Sequence, residues 1–197
     1  MKKNSPHKML PAACLLGLVG ISGPANAENW YIGASFGQSD QSDAGDAIKT
    51  AFRLVGLTAT VEDTDSAWKL FVGYQANENL GFEAAYVDLG QAKGTGGGVT
   101  ETVQSSGIAF SLVGTAPLSS SAGIFGKVGL FSWSTDISAT GPVGSASAST
   151  TGTDLTYGVG AKFQFNKQVG ARLEWEHFTL SDINADMLSV GILFTIQ

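Results

Sequence analysis

Residues 187–197, Met-Leu-Ser-Val-Gly-Ile-Leu-Phe-Thr-Ile-Gln, constrain the fold more than any other stretch of this chain. Taken in twos, Leu188, Val190, Ile192, Phe194 and Ile196 share one face, and Met187, Ser189, Gly191, Leu193 and Thr195 the other. Period two is the period of a strand, here with one greasy face and one of mostly small side chains. Such a strand carries a row of unpaired N–H and C=O groups on each edge, which invites aggregation in water and is not tolerated in lipid. It needs a neighbour on both sides. Residues 30–37 can supply one, because Trp30, Ile32, Ala34 and Phe36 alternate with Tyr31, Gly33, Ser35 and Gly37. First strand pairing with last closes a barrel.

The N-terminus reads as a secretory signal over residues 1–27. Lys2, Lys3 and Lys8 form a basic region, residues 10–21 an apolar core too short for a bilayer span of roughly 20 residues, and Ala25-Asn26-Ala27 a small-x-small cleavage site. Residues 28–197 then form the outer membrane domain. The one cysteine, Cys14, falls inside the signal, and Pro11 before it spoils a lipidation motif, so the mature chain has no disulfide framework. Cleavage leaves eight basic residues against seventeen acidic ones. A chain so acidic is a poor partner for nucleic acid, whose binding rests on Lys and Arg at phosphates. After the signal no long apolar run occurs, which excludes helical spans but not a barrel of alternating strands.

Besides residues 30–37 and 187–197, six segments alternate, each close to the length a tilted membrane strand needs. They are residues 67–75, 80–89, 103–115, 123–134, 154–165 and 169–178. Residues 154–165 are the cleanest: Leu155, Tyr157, Val159, Ala161, Phe163 and Phe165 face out, while Thr156, Gly158, Gly160, Lys162 and Gln164 face in. Connections at 77–79, 116–121 and 166–168 are short, whereas 39–66, 90–102, 135–153 and 179–186 are mostly longer. Short turns on one side and long loops on the other define an all-β, eight-stranded antiparallel up-and-down transmembrane β-barrel with both termini in the periplasm. The first long connection carries Ala47, Ile48, Phe52, Val55 and Gly56 in a pattern that predicts a short amphipathic helix over 46–57.

Polarity separates this reading from a soluble barrel. The inward face carries Lys69, Glu83, Lys127, Lys162, Arg172, Glu174 and Glu176, which no soluble hydrophobic core would hold. Trp30, Tyr74, Phe163 and Phe165 fall at the periplasmic strand ends, and Trp68, Tyr86, Tyr157 and Trp175 at the outer ends. These are the two aromatic girdles that meet lipid headgroups.

Three passages carry a family resemblance. Residues 79–86 (Asn-Leu-Gly-Phe-Glu-Ala-Ala-Tyr), 171–175 (Ala-Arg-Leu-Glu-Trp) and 189–194 (Ser-Val-Gly-Ile-Leu-Phe) resemble the third, seventh and eighth strands of the transmembrane domain of outer membrane protein A and its small eight-stranded relatives. The last passage also resembles the signal read by the barrel-assembly machinery, through Ser189, Gly191, Phe194 and Ile196, with Ile196 where a terminal aromatic is commoner. The resemblance implies that Glu83 and Arg172 belong to a charged cluster in the lumen. Geometry allows this independently, since the third and seventh strands face each other across a ring of eight. Where that family has an acid on the sixth strand this chain has Lys162, and where it has a lysine on the fourth, Ser111, so the network is expected to be rewired, with Glu83 pairing with Arg172 or Lys162. The chain ends at the eighth strand, so anchoring to the cell wall through a further periplasmic domain is not expected.

Several groups along the chain bear on its chemistry. The inward charges read either as a salt-bridged plug or as an ion gate, and four bases to three acids leave room for the latter. His177 is the one histidine of the mature chain, and His177-Phe178-Thr179 resembles the His-x-Ser of eight-stranded lipid A deacylases, with threonine in place of serine. Residues 94–98, Gly-Thr-Gly-Gly-Gly, lack the Lys-Ser/Thr of a phosphate loop and read as a flexible loop, as does the Ser/Thr/Ala/Gly-rich run 138–153. Asp40, Asp43, Asp46, Glu62, Asp63 and Asp65 crowd the first loop without a calcium-loop spacing and read as a solvated acidic surface. No cofactor or metal is expected. The functional expectation is a non-enzymatic, monomeric outer-membrane barrel that supports the envelope or presents loops to lipopolysaccharide or surface ligands. A narrow pore and a lipid A-modifying enzyme are the alternatives.

Overall fold

A computed structural model describes residues 30–181 and 183–196. The expected signal, residues 1–27, and Gln197 lie outside the described residues. The elements in order are β1 (Trp30–Asp40), α1 (Ser42–Leu54), β2 (Thr60–Glu62), β3 (Thr64–Gln75), β4 (Leu80–Gly96), β5 (Val99–Pro117), β6 (Ala122–Gly141), β7 (Gly144–Gln164), β8 (Val169–Leu180) and β9 (Ile183–Ile196). Leaving aside the three-residue β2, which lies on the outer part of β4, eight strands pair antiparallel with their neighbours in the sequence. The ring closes where β1 meets β9, Trp30 opposite Ile196 and Phe36 opposite Val190. It is an eight-stranded antiparallel β-barrel, so its membrane-spanning part has no free edge, which is the condition lipid imposes.

Alternation decides the two surfaces. Phe36, Leu70, Phe82, Phe110, Leu130, Val159, Leu173, Val190 and Ile192 are all exposed on the outside, forming the apolar band that acyl chains would cover. Residues of the opposite parity, among them Lys69, Phe71, Glu83, Lys127, Phe131 and Arg172, are buried in the lumen. Among the described residues no helix is long and apolar enough to cross a membrane.

Three sequence expectations are corrected outside the membrane band. The stretches 90–102, 135–153 and 179–186 are not open loops, because β4–β5, β6–β7 and β8–β9 run on as paired strands, with β5 and β6 also paired out to Thr100 and Thr140. The glycine run 94–98 forms the tip of the first hairpin, where Gly97 and Gly98 take positive φ of 55° and 80°. Ser/Thr/Ala-rich residues 144–153 pair with β6 from Gly141 to Ser132. Once a turn brings two strands together, each added pair closes a ladder at little further entropic cost, so composition that reads as a loop becomes sheet.

The helix is also shifted. α1 spans Ser42–Leu54 instead of 46–57, beginning where the Asp40 carboxylate accepts a hydrogen bond from the Ser42 amide at 3.0 Å. Its buried residues Ala44, Ile48 and Phe52 recur every four positions. They pack with Ala92 and Val103 on the inward faces of β4 and β5, with Leu57, Val61, Ile137 and Ile183 around them. A Cβ on Gly94 would overlap Ile48, so this glycine is the seat of the helix.

Candidate functional site: the closed lumen

The inward side chains of β3, β4, β6 and β8 bring six charges together near mid-barrel. Arg172 donates through Nη1 to Glu83 at 2.7 Å and through Nη2 to Glu174 at 2.6 Å. Lys69 donates to Glu174 at 2.5 Å and also to Glu176. Lys127 stands 2.8 Å from Glu174 and 3.4 Å from Glu83, and contacts Glu176 as well. Tyr31 of β1 adds its hydroxyl to Glu83 at 3.3 Å. The Arg172 guanidinium lies between the rings of Phe71 and Phe125, 4.4 and 4.8 Å from their centroids. All six side chains are buried.

Three acids thus meet three bases, and the cluster is neutral. Lys162 stands outside it, with the Thr115 hydroxyl at 3.3 Å as its hydrogen-bond partner, so the expected choice of Arg172 or Lys162 for Glu83 resolves to Arg172 together with Lys127. The sequence count of four inward bases to three acids therefore does not describe the enclosed ring. A neutral, mutually hydrogen-bonded set is the arrangement in which buried charges are least costly.

Above the charges, toward the long hairpins, lies a layer that parity alone did not reveal. Phe131 and Phe178 pack with ring centroids 4.8 Å apart, surrounded by Val87, Leu89, Trp133, Leu180 and Met187, all buried. The signal was present in the spacing: Phe131, Trp133 and Phe178 follow Lys127 and Glu176 on the inward parity of their strands. Trp133 Nε1 donates to Asp154 at 2.8 Å, and Gln41 Nε2 donates to the Leu89 carbonyl at 2.8 Å. Ile183 touches both this layer and the α1 cluster, making one apolar column from the charges to the helix.

The aromatic side chains sit at two levels. Trp30 and Tyr74 are 5.2 Å apart and Phe163 and Phe165 5.4 Å at the end with short turns; Trp68 and Tyr86 are 5.4 Å apart and Tyr157 and Trp175 6.0 Å at the other. His177 stacks on Tyr157 at 5.0 Å, and its Nδ1 lies 2.9 Å from Asp186 on β9, so its ring is engaged by a carboxylate and an aromatic face. The first-loop acids serve local structure: Asp43 accepts from the Asn184 amide and side chain at 3.1 and 2.9 Å, Asp46 from Lys49 at 2.9 Å, and Asp65 from the Gln91 amide at 3.0 Å. The hydrogen bond to Asp46 holds the exposed Lys49 ammonium above its ordinary pKa. Among the described residues no group of three or more His, Cys, Asp or Glu is placed to hold a metal. On β9, Ser189 and Gly191 turn inward and Phe194 and Ile196 outward.

Residues 12–195 match the model of the outer membrane protein β-barrel domain. The chain belongs to this family. Its place is the outer membrane, and it resembles outer membrane protein A of Yersinia pseudotuberculosis, 27% identical over 84% of this chain and 46% of that one. The outer membrane protein A of Serratia marcescens is 29% identical over the same shares. The chain spans about half the length of these curated relatives. Among solved structures, Ail, the attachment invasion locus protein of Yersinia pestis, aligns with a TM-score of 0.55 over 85% of this chain and 98% of that one, at 14% identity. Neisserial surface protein A aligns equally well, with a TM-score of 0.55 over 85% and 97% at 13% identity. At such identity these two support the fold.

Proposed function

We propose that this chain is a sealed, non-enzymatic outer-membrane scaffold that supports the envelope and offers its extracellular hairpins to surface ligands. One observation carries the reading: the lumen holds a neutral ring of ion pairs backed by an apolar layer of Phe131, Phe178, Trp133 and Met187, so nothing in it is arranged for passage. What remains to contact the outside is the rim and the β4–β5 and β6–β7 hairpins. Its partners are then the outer membrane lipids and lipopolysaccharide along the aromatic levels, and the barrel-assembly machinery through Ser189, Gly191, Phe194 and Ile196. Among the described residues, the lack of a polar patch on the lipid face favours a monomer.

Ail has been solved in complex with the heparin analogue sucrose octasulfate. The outer region here is rich in Asp40, Asp43, Asp46, Glu62, Asp63 and Asp65, and like charges disfavour a sulfated sugar. The uncharged β7 segment 144–153 is the better contact surface, suited to a neutral ligand. The test compares cells carrying the whole chain, a version with residues 136–151 replaced by a short turn, and Glu83→Ala. Surface attachment should fall with the trimmed hairpin and persist in Glu83→Ala. Lipid A mass spectra should be the same with and without the protein; a change in acylation would overturn the non-enzymatic reading.

A further inference from the structure

Below the ion-pair ring, on the side of the short turns, the lumen opens into a cavity of about 200 Å³ lined by Tyr31, Thr115, Phe125, Lys162, Gln164 and Arg172. At about 30 Å³ per water it has room for a small oxyanion and part of its hydration shell. Its electrostatics lack a partner. Lys162 and Arg172 stand directly opposite each other across β7 and β8, an arrangement of like charges that a sheet ordinarily disfavours. Glu83 also borders the cavity, but it is engaged by Arg172, Lys127 and the Tyr31 hydroxyl. Among the described residues no carboxylate lies within ion-pair distance of Lys162. The second observation is Arg172 itself: it is buried, it borders the same cavity, and it brings a second positive charge beside Lys162.

We propose that this vestibule is an anion site that takes a small oxyanion of the phosphate or carboxylate class from the periplasmic side. Lys162 is the binding charge, and the Arg172 guanidinium directly opposite it adds its positive field. The hydroxyls of Thr115 and Thr195 and the Gln164 amide, which also border the cavity, complete the shell. An anion there relieves the Lys162–Arg172 repulsion. Phosphate can arrive free or as a lipid headgroup, and the chemistry at Lys162 is the same.

The test uses the refolded full barrel in phosphatidylcholine nanodiscs, titrated with inorganic phosphate and, separately, acetate while backbone amide shifts are followed. Saturable shifts are expected at residues 115 and 162–164. Lys162→Met should weaken binding by about tenfold or more, as loss of a charge-assisted hydrogen bond implies, and Lys162→Arg should keep it. Lys93→Met, on the exposed outer hairpin, should change nothing. Discs containing phosphatidylglycerol that show the shifted positions without added phosphate identify a headgroup as the source. No saturable shift in either lipid, or the same shifts in Lys162→Met, overturns the site. Heat-modifiable gel mobility verifies each fold, and Lys162→Gln replaces the Met variant if that one fails to fold.

Discussion

Cutting Glu83 and Arg172 to alanine, singly and together, probes the ion-pair ring by its own arithmetic. Unit charges about 4 Å apart attract by roughly 4 kcal/mol at an effective dielectric constant of about 20, and stripping one member from a buried pair costs about 3–5 kcal/mol. In Glu83→Ala the guanidinium keeps Glu174 at 2.6 Å, which places the loss near the lower end, about 3 kcal/mol. In Arg172→Ala, Glu83 keeps only Lys127 at 3.4 Å and the Tyr31 hydroxyl, and the packing on Phe71 and Phe125 goes too, so about 4 kcal/mol is expected. The double variant leaves two acids facing two bases. Its loss should be about 4–5 kcal/mol, well short of the sum, giving a coupling of about 2–3 kcal/mol. Urea titrations of the barrel folded into phospholipid vesicles, followed by tryptophan fluorescence, measure all four corners. Additivity within about 0.5 kcal/mol would refute the coupling and the ring with it.

Three further variants test the layers around the ring. Phe131→Ala should destabilise the barrel by about 3–5 kcal/mol in the same titration, because the cavity it leaves beside Phe178 cannot collapse within a closed sheet. Gly94→Val should lift α1 off its seat by displacing Ile48, seen as faster amide exchange over residues 42–54 with the barrel strands still protected. Phe194→Ala should slow assembly by the barrel machinery in reconstituted membranes while leaving the stability of barrel already folded within about 1–3 kcal/mol of the parent, and an unchanged assembly rate would remove the residue from the recognition signal.

The membrane-spanning part of this fold was legible because lipid allows few solutions: alternation at period two, apolar outside and polar inside, read out strand by strand from residues such as Leu155 to Gln164. The family resemblance implied that Glu83 and Arg172 share a lumen cluster, and two strands half a ring apart allowed it, but the sequence left Arg172 and Lys162 both open as the partner of Glu83. What could not be read has physical reasons. The sheet extensions at 135–153 have the composition of a loop, and only pairing with a zipped neighbour makes them strand. Lys162 shares the inward parity of the charged residues and stands directly opposite Arg172, yet its ammonium reaches the Thr115 hydroxyl and not the acids. Parity gives the face a side chain takes but not its depth. For the same reason Phe131 and Phe178 read as inward residues without showing that they meet as a layer.

Single-channel recording of the refolded chain in a planar bilayer, beside Glu83→Ala, tests the sealed lumen most directly. A silent parent at moderate voltage is expected, and a variant that at most flickers, since the Phe131–Phe178 layer stays in place above the disturbed ring. Steady, ion-selective openings of the parent would contradict it and make the inward charges a filter.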